Sequence, residues 1–174
     1  FYTLELDFTF YQTLFDKVGN PTKTFTLLQD YRKYLKPENR LILKAPQAVF
    51  SKKLRMQGKF VENEQYLDPD LFITQFYRPA KDLLGPALEG IVFEQEYQRR
   101  DERPPLEKYA YQLREFFEAI PADTCYHVEL RTEAFLSDAV FRVLEEKGVG
   151  QVFSHWTWLP SLSKQLSLSQ RNFF

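Results

Sequence analysis

Apolar positions recur along this chain with two different periods, and each change of period marks an element. Over 1–8 the pattern alternates, with Leu4, Leu6 and Phe8 on one face and Thr3, Glu5 and Asp7 on the other, which predicts a strand. Gly19-Asn20-Pro21-Thr22 predicts a turn and the start of a helix over 24–35, where Phe25, Leu28, Tyr31 and Leu35 keep helical spacing until Pro37 stops it. A short apolar run over 40–45 predicts a second strand, with Ile42 and Lys44 on one face. Residues 47–69 show little periodicity and read as a long loop, basic at Lys52, Lys53, Arg55 and Lys59 and then acidic at Glu62, Glu64 and Asp68. Phe72, Phe76, Tyr77, Ala80 and Leu83 predict a helix over 70–84, kinked or split by Pro79.

Past Gly85-Pro86, residues 90–95 predict a third strand ending near Glu94. The broadest apolar stripe of the chain, from Leu106 through Tyr109, Leu113 and Phe116 to Ile120, predicts a helix. Residues 124–131 predict a fourth strand that places Tyr126, Val128 and Leu130 on one face and His127, Glu129 and Arg131 on the other. Ser137 reads as the cap of a helix carrying Val140, Val143 and Leu144, which Gly148 ends. A fifth strand is predicted over 149–156, followed by a Ser- and Leu-rich tail that reads as a short helix or a disordered segment. Cys125 falls early in the fourth strand and reads as a core thiol.

Strand and helix alternate about five times, the signature of an α/β fold with right-handed crossovers between parallel strands. In such a sheet, covered by helices, the row His127, Glu129 and Arg131 is out of place as packing and points to function. Neither GxGxxG nor GxxxxGK[ST] occurs, so a dinucleotide or P-loop site has no support. Of the two remaining architectures, an open doubly wound sheet and a β/α (TIM-type) barrel, the barrel better explains the polar strand ends. Glu5 and Asp7, Lys44, Glu94, Glu129 and Arg131, and His155 each fall in the last residues of a different strand, and a barrel gathers such ends in one mouth.

Composition narrows the partners. At 174 residues the chain suits one domain, and 23 Lys and Arg against 24 Asp and Glu give a net charge of −1. No global field draws it to nucleic acid or anionic lipid, so nucleic acid is not the expected partner and a small molecule is. A single cysteine, the lack of a signal-peptide pattern and the lack of an apolar run of about 18 residues favour a soluble, cytoplasmic protein with no membrane association. The chain starts inside a strand pattern without an initiator Met and completes no element after Pro160, so a barrel truncated or unseen at both ends is expected over 1–174.

Five segments, Glu5 to Tyr11, Leu41 to Pro46, Leu84 to Pro86, Ile91 to Gln95 and Val128 to Arg131, occur in an order and spacing that resembles the domain of unknown function 72 (YecE-like) family. The resemblance runs from Glu5 to about Pro160. It implies a β/α barrel in which the five strands correspond to the second to sixth, with Glu129 and Arg131 at the mouth. Family members usually carry Asn at the position of Asp7, Gln at that of Glu94 and Asp at that of His155, and their His near Phe50 and Ser51 is missing here.

The candidate site follows from these strand ends. Glu94 and Glu129 are the candidate catalytic pair, since two carboxylates can divide acid and base work as in glycoside hydrolysis. Glu5, Asp7, Tyr11, Lys44, Arg131, His155 and Trp156 are candidate ligand-binding residues, the cations for an anionic group and the aromatics, with Phe10 and Trp158, for stacking. Glu5, Glu94, Glu129 and His155 could hold a divalent metal, the one cofactor the residues suggest, although no close histidine motif supports it. Alternatives remain open: Glu129 paired with Arg131 or Lys44 in plain ion pairs, or a non-catalytic binding or scaffold protein that uses the 47–69 loop to hold a partner.

Overall fold

The computed structural model describes residues 2–56 and 58–170. Phe1, Gln57 and residues 171–174, on which the first strand, the long loop and the tail touch, lie outside the described residues. The chain divides into two compact units, the first running to Phe93 and the second starting at Glu94.

The first unit contains the strands β1 (Thr3–Leu6), β2 (Arg40–Lys44) and β5 (Leu88–Glu94), which pair in parallel in the order β1-β2-β5. Glu5 lies level with Ile42, and Lys44 with Val92. Helix α1 (Lys23–Tyr34) links the first two strands. Thr22 caps it by accepting the Phe25 N–H at 3.4 Å, while its own hydroxyl donates to Thr13 O at 2.6 Å. Leu28 is the buried apolar residue of the α1 face.

The first strand is shorter than its alternation predicts. After Leu6 the chain turns into a short 3₁₀ segment, Asp7–Phe10, because the buried Thr9 hydroxyl intercepts the next strand bonds. It accepts the Lys44 N–H at 2.9 Å and lies 2.8 Å from Lys44 O and 3.0 Å from Leu6 O. Asp7 and Tyr11 are left exposed.

The predicted long loop is structured. Helix α2 (Gln47–Phe50) is followed by an antiparallel hairpin of β3 (Lys53–Met56) and β4 (Lys59–Glu62). Met56 pairs with Lys59, so two residues connect the strands, and Gly58 supplies the left-handed backbone (φ +81°) that such a connection requires. Asn63 ties down the base, its amide donating to Ala48 O at 2.8 Å and Ser51 O at 2.7 Å. The hairpin escaped the periodicity reading because it is largely solvent-facing, with Met56, Phe60 and Val61 exposed, and so has no buried face to imprint an alternation.

The split at Pro79 has a definite form. Helices α3 (Pro69–Phe72) and α4 (Arg78–Leu84) are joined by a π turn, Ile73–Tyr77, in which the Arg78 N–H reaches back five residues to Ile73 O. Pro79 has no N–H to offer the carbonyl four residues earlier, that of Gln75. This oxygen instead accepts the N–H groups of Leu14 and Phe15, both at 3.0 Å. The kink therefore fastens the 11–22 segment to the helix.

The second unit contains α5 (Leu106–Ala119), β6 (Tyr126–Glu129), α6 (Asp138–Glu146), β7 (Gly150–Val152) and α7 (Leu162–Gln170). β6 and β7 are parallel, with Glu129 level with Val152. The α5 stripe is buried as predicted at Tyr109, Ala110, Leu113, Phe116 and Phe117, and Tyr109 stacks on Phe135 with centroids 4.0 Å apart. Ser137 occupies the cap position of α6 without a side-chain capping bond. The fifth strand has three residues rather than the predicted eight positions over 149–156, and the start of the tail is the helix α7.

Mixed α/β character with parallel strands thus holds in each unit, and the hairpin is the antiparallel exception. Among the described residues, neither unit closes a barrel. No helix of the described residues is long and apolar enough to cross a membrane.

Candidate functional site

In the second unit the chain emerging from β5 runs beside the chain emerging from β6, and side chains continue the lacing where the strands stop. The Gln95 N–H donates to Glu129 O at 2.9 Å, the Arg131 N–H to the Gln95 side-chain carbonyl at 3.1 Å, and the Gln98 N–H to the Thr132 hydroxyl at 3.0 Å. Gln95 and Thr132 are both buried. The frame fixes the backbone from which Glu94, Glu129 and Arg131 project.

The guanidinium of Arg131 bridges both candidate catalytic carboxylates. Its Nε lies 2.9 Å from Glu129 Oε1 and its Nη1 2.5 Å from Glu94 Oε1. Glu129 is the more enclosed, its side chain 6% exposed against 14% for Glu94. The Arg131 Cζ sits 5.2 Å from the ring centroid of Trp156, a cation–π contact from the chain following β7. At such separations each carboxylate is held by a charge-assisted hydrogen bond, which orients it strongly.

His127 lies one step deeper on the same face of β6. Its Nδ1 is 3.0 Å from Cys125 O, and its ring rests against Gly150, where an added Cβ would come within 2.4 Å of His127 Cδ2. It is an interior packing residue, half-buried, and Cys125 is buried.

Of the sequence-predicted residues, Glu94, Glu129, Arg131 and Trp156 come together. His155 does not join them through the strand alternation: β7 ends at Val152, and His155 is exposed on the chain beyond it. In the first unit Lys44 is buried and pairs with Glu5 at 3.2 Å. Asp7 sits in the 3₁₀ turn rather than the strand, and Tyr11 packs edge-on against Phe10 with its own ring mostly exposed. Among the described residues no three His, Cys, Asp or Glu side chains gather in a metal-holding group, so the set Glu5, Glu94, Glu129 and His155 gains no support as metal ligands. Between Glu94 and Glu129 the positive charge that a metal would bring is supplied by Arg131.

Sequence reasoning missed Gln95, Thr132 and Tyr97. Gln95 follows Glu94 directly, so strict alternation sends it to the opposite face and away from any site; the end of the strand removes that constraint. Tyr97 stacks with Trp158, centroids 5.7 Å apart, joining the chain after β5 to the chain after β7. No protein-family model, curated protein or solved structure matches the chain.

Proposed function

We propose that Glu94, Glu129 and Arg131, with Trp156, form a ligand site for a small anionic or polyhydroxylated molecule. The observation that carries this reading is Arg131 itself, clamped by two carboxylates at 2.5 and 2.9 Å and set against an exposed tryptophan. Removing two carboxylates and a guanidinium from water contributes little to stability on its own, and such a cluster on strand-end loops is more readily explained by recognition than by packing. Glu94, the more accessible carboxylate, is the better placed to exchange a proton with a bound substrate, and Glu129 to hold Arg131 in position.

The YecE-like resemblance fits the same reading: in a β/α barrel the carboxyl ends of the strands carry the site, and these residues lie at or just past such ends. The parallel strands separated by helices in each unit are the repeating elements of that architecture. Hydrolase-like work by Glu94 and Glu129 is the activity this arrangement favours.

Thermal-shift screening of the full chain against phosphate, small carboxylates and neutral sugars tests the site. The reading expects a class whose stabilisation is lost in Glu94→Gln and retained in Glu5→Gln. Stabilisation by no class, or one indifferent to Glu94→Gln, would refute it.

A second reading, a binding protein that uses the 47–69 segment, is favoured by one observation: the β3–β4 hairpin displays Met56 and Phe60 to solvent beside Arg55 and Lys59. Partner capture abolished by Phe60→Ser, with Glu94→Gln inert, would favour it.

A further inference from the structure

We infer that a recess of the second unit, lined by the head of α5 and the 3₁₀ turn Glu133–Phe135, binds a small organic phosphate monoester through Arg100 and Arg103. None of its lining residues belongs to the Glu94, Glu129 and Arg131 cluster, so the inference goes beyond the reading of that site and does not rest on it.

The local chain builds the recess from stiff parts. Arg99 O accepts the N–H groups of Glu102 at 3.0 Å and Arg103 at 3.1 Å, which closes the turn that carries both arginines. Pro104 and Pro105 follow, each with φ fixed by its ring, and lead directly into Leu106 at the head of α5. A further part of the wall is Phe135, buried, stacked on Tyr109 of α5, its N–H donating to Thr132 O at 2.9 Å. The cavity holds about 500 Å³, inside the roughly 300–1,000 Å³ of small-molecule sites.

Charge selects the ligand. Arg100 and Arg103 line the recess, while the acids of the same stretches, Asp101, Glu102, Glu107 and Glu133, lie outside its lining. Neither guanidinium has an ion-pair or hydrogen-bond partner among the described residues. Arg131, by contrast, is committed to Glu94 and Glu129. Two like charges at one recess with no acid in its lining attract an anion. A carboxylate carries one charge on two oxygens, which a single planar guanidinium fork satisfies. A phosphate monoester is close to dianionic and offers three terminal oxygens, enough for both forks. The remaining walls, Pro104, Pro105, Leu106 and Phe135, are apolar and suit an organic body that inorganic phosphate lacks.

Titration of the full chain with phenyl phosphate, followed in ¹H–¹⁵N spectra that also report whether each variant is folded, tests the inference. Inorganic phosphate, benzoate and benzyl alcohol are titrated in parallel. The expected result is shifts centred on the amides of Arg100, Arg103, Leu106 and Ala134, with phenyl phosphate bound more tightly than phosphate or benzoate and benzyl alcohol not bound. Affinity should fall about tenfold or more in Arg100→Gln and in Arg103→Gln. It should stay nearly unchanged in Arg99→Gln, which removes the same charge from the same turn but outside the lining. Equal losses in all three variants would mean unspecific attraction and overturn the inference, as would phenyl phosphate that binds elsewhere or not at all. Benzoate bound as tightly as phenyl phosphate overturns the phosphate, and inorganic phosphate bound as tightly overturns the organic body.

Discussion

Each unit holds one long cation at or just past the end of a strand, and the two are treated differently. Lys44, at the end of β2, is 6% exposed, pairs with Glu5 at 3.2 Å, and has its backbone pinned on both sides by the Thr9 hydroxyl. Arg131, just past β6, is bracketed by Glu94 and Glu129, lies against an exposed indole, and is itself about a quarter exposed, at 26%. Lys44 is therefore a buried charge held on a fixed stretch of backbone. Arg131 is oriented as firmly but left within reach of solvent, which is what recognition requires.

Substitutions can break this contrast in order of expected size. Arg131→Ala should have the largest effect, about 3 kcal/mol of unfolding free energy, because it removes the guanidinium that bonds to both enclosed carboxylates. Denaturant titration measures it, and adding Glu129→Gln to the same chain should recover part of the loss. Thr9→Val comes next. It strands the buried Lys44 N–H and should cost about 2 kcal/mol by the same measurement.

Gly150→Ala should cost about 1–2 kcal/mol, since the new methyl meets the His127 ring. The His127→Ala, Gly150→Ala double variant should lose less than the sum of the two single variants, a coupling that a double-mutant cycle reads directly. The smallest effect is expected at Asp16. The Asn20 backbone N–H and then its side-chain amide hold the Asp16 carboxyl below the ordinary carboxylate value, in the turn that leads to α1. A depressed carboxylate stabilises the fold above its unfolded value and loses that contribution as pH falls through the folded one. Asp16→Ala should thus flatten a small part of the acid limb of stability and leave neutral pH nearly untouched.

How much of this was legible in the sequence varies with what each residue faces. The α5 stripe was read correctly from Leu106 to Phe117 because a buried helix face imprints its period on the chain. The β3–β4 hairpin was not, since an exposed ribbon needs no apolar alternation and its one backbone signal is Gly58. Strand ends were the least readable. Alternation carried past Leu6 and Val152 assigned faces to Asp7 and His155 that the 3₁₀ turn and the short β7 do not provide. Glu94, Glu129 and Arg131 were legible as polar groups at strand ends; that one guanidinium would join the two carboxylates depends on the Gln95 lacing, which no spacing encodes. Residue types at strand ends likewise do not say which of them meet, and among the described residues no metal-holding group of His, Cys, Asp and Glu side chains forms.

The most direct test of the account is ¹H–¹⁵N chemical-shift mapping of the full chain during titration with a methyl glycoside. The account predicts perturbations centred on the Arg131 Nε–H, the Gln95 side-chain amide and the Trp156 indole. Perturbations centred on Thr9, Lys44 or the β3–β4 hairpin, with Arg131 and Trp156 silent, would contradict it.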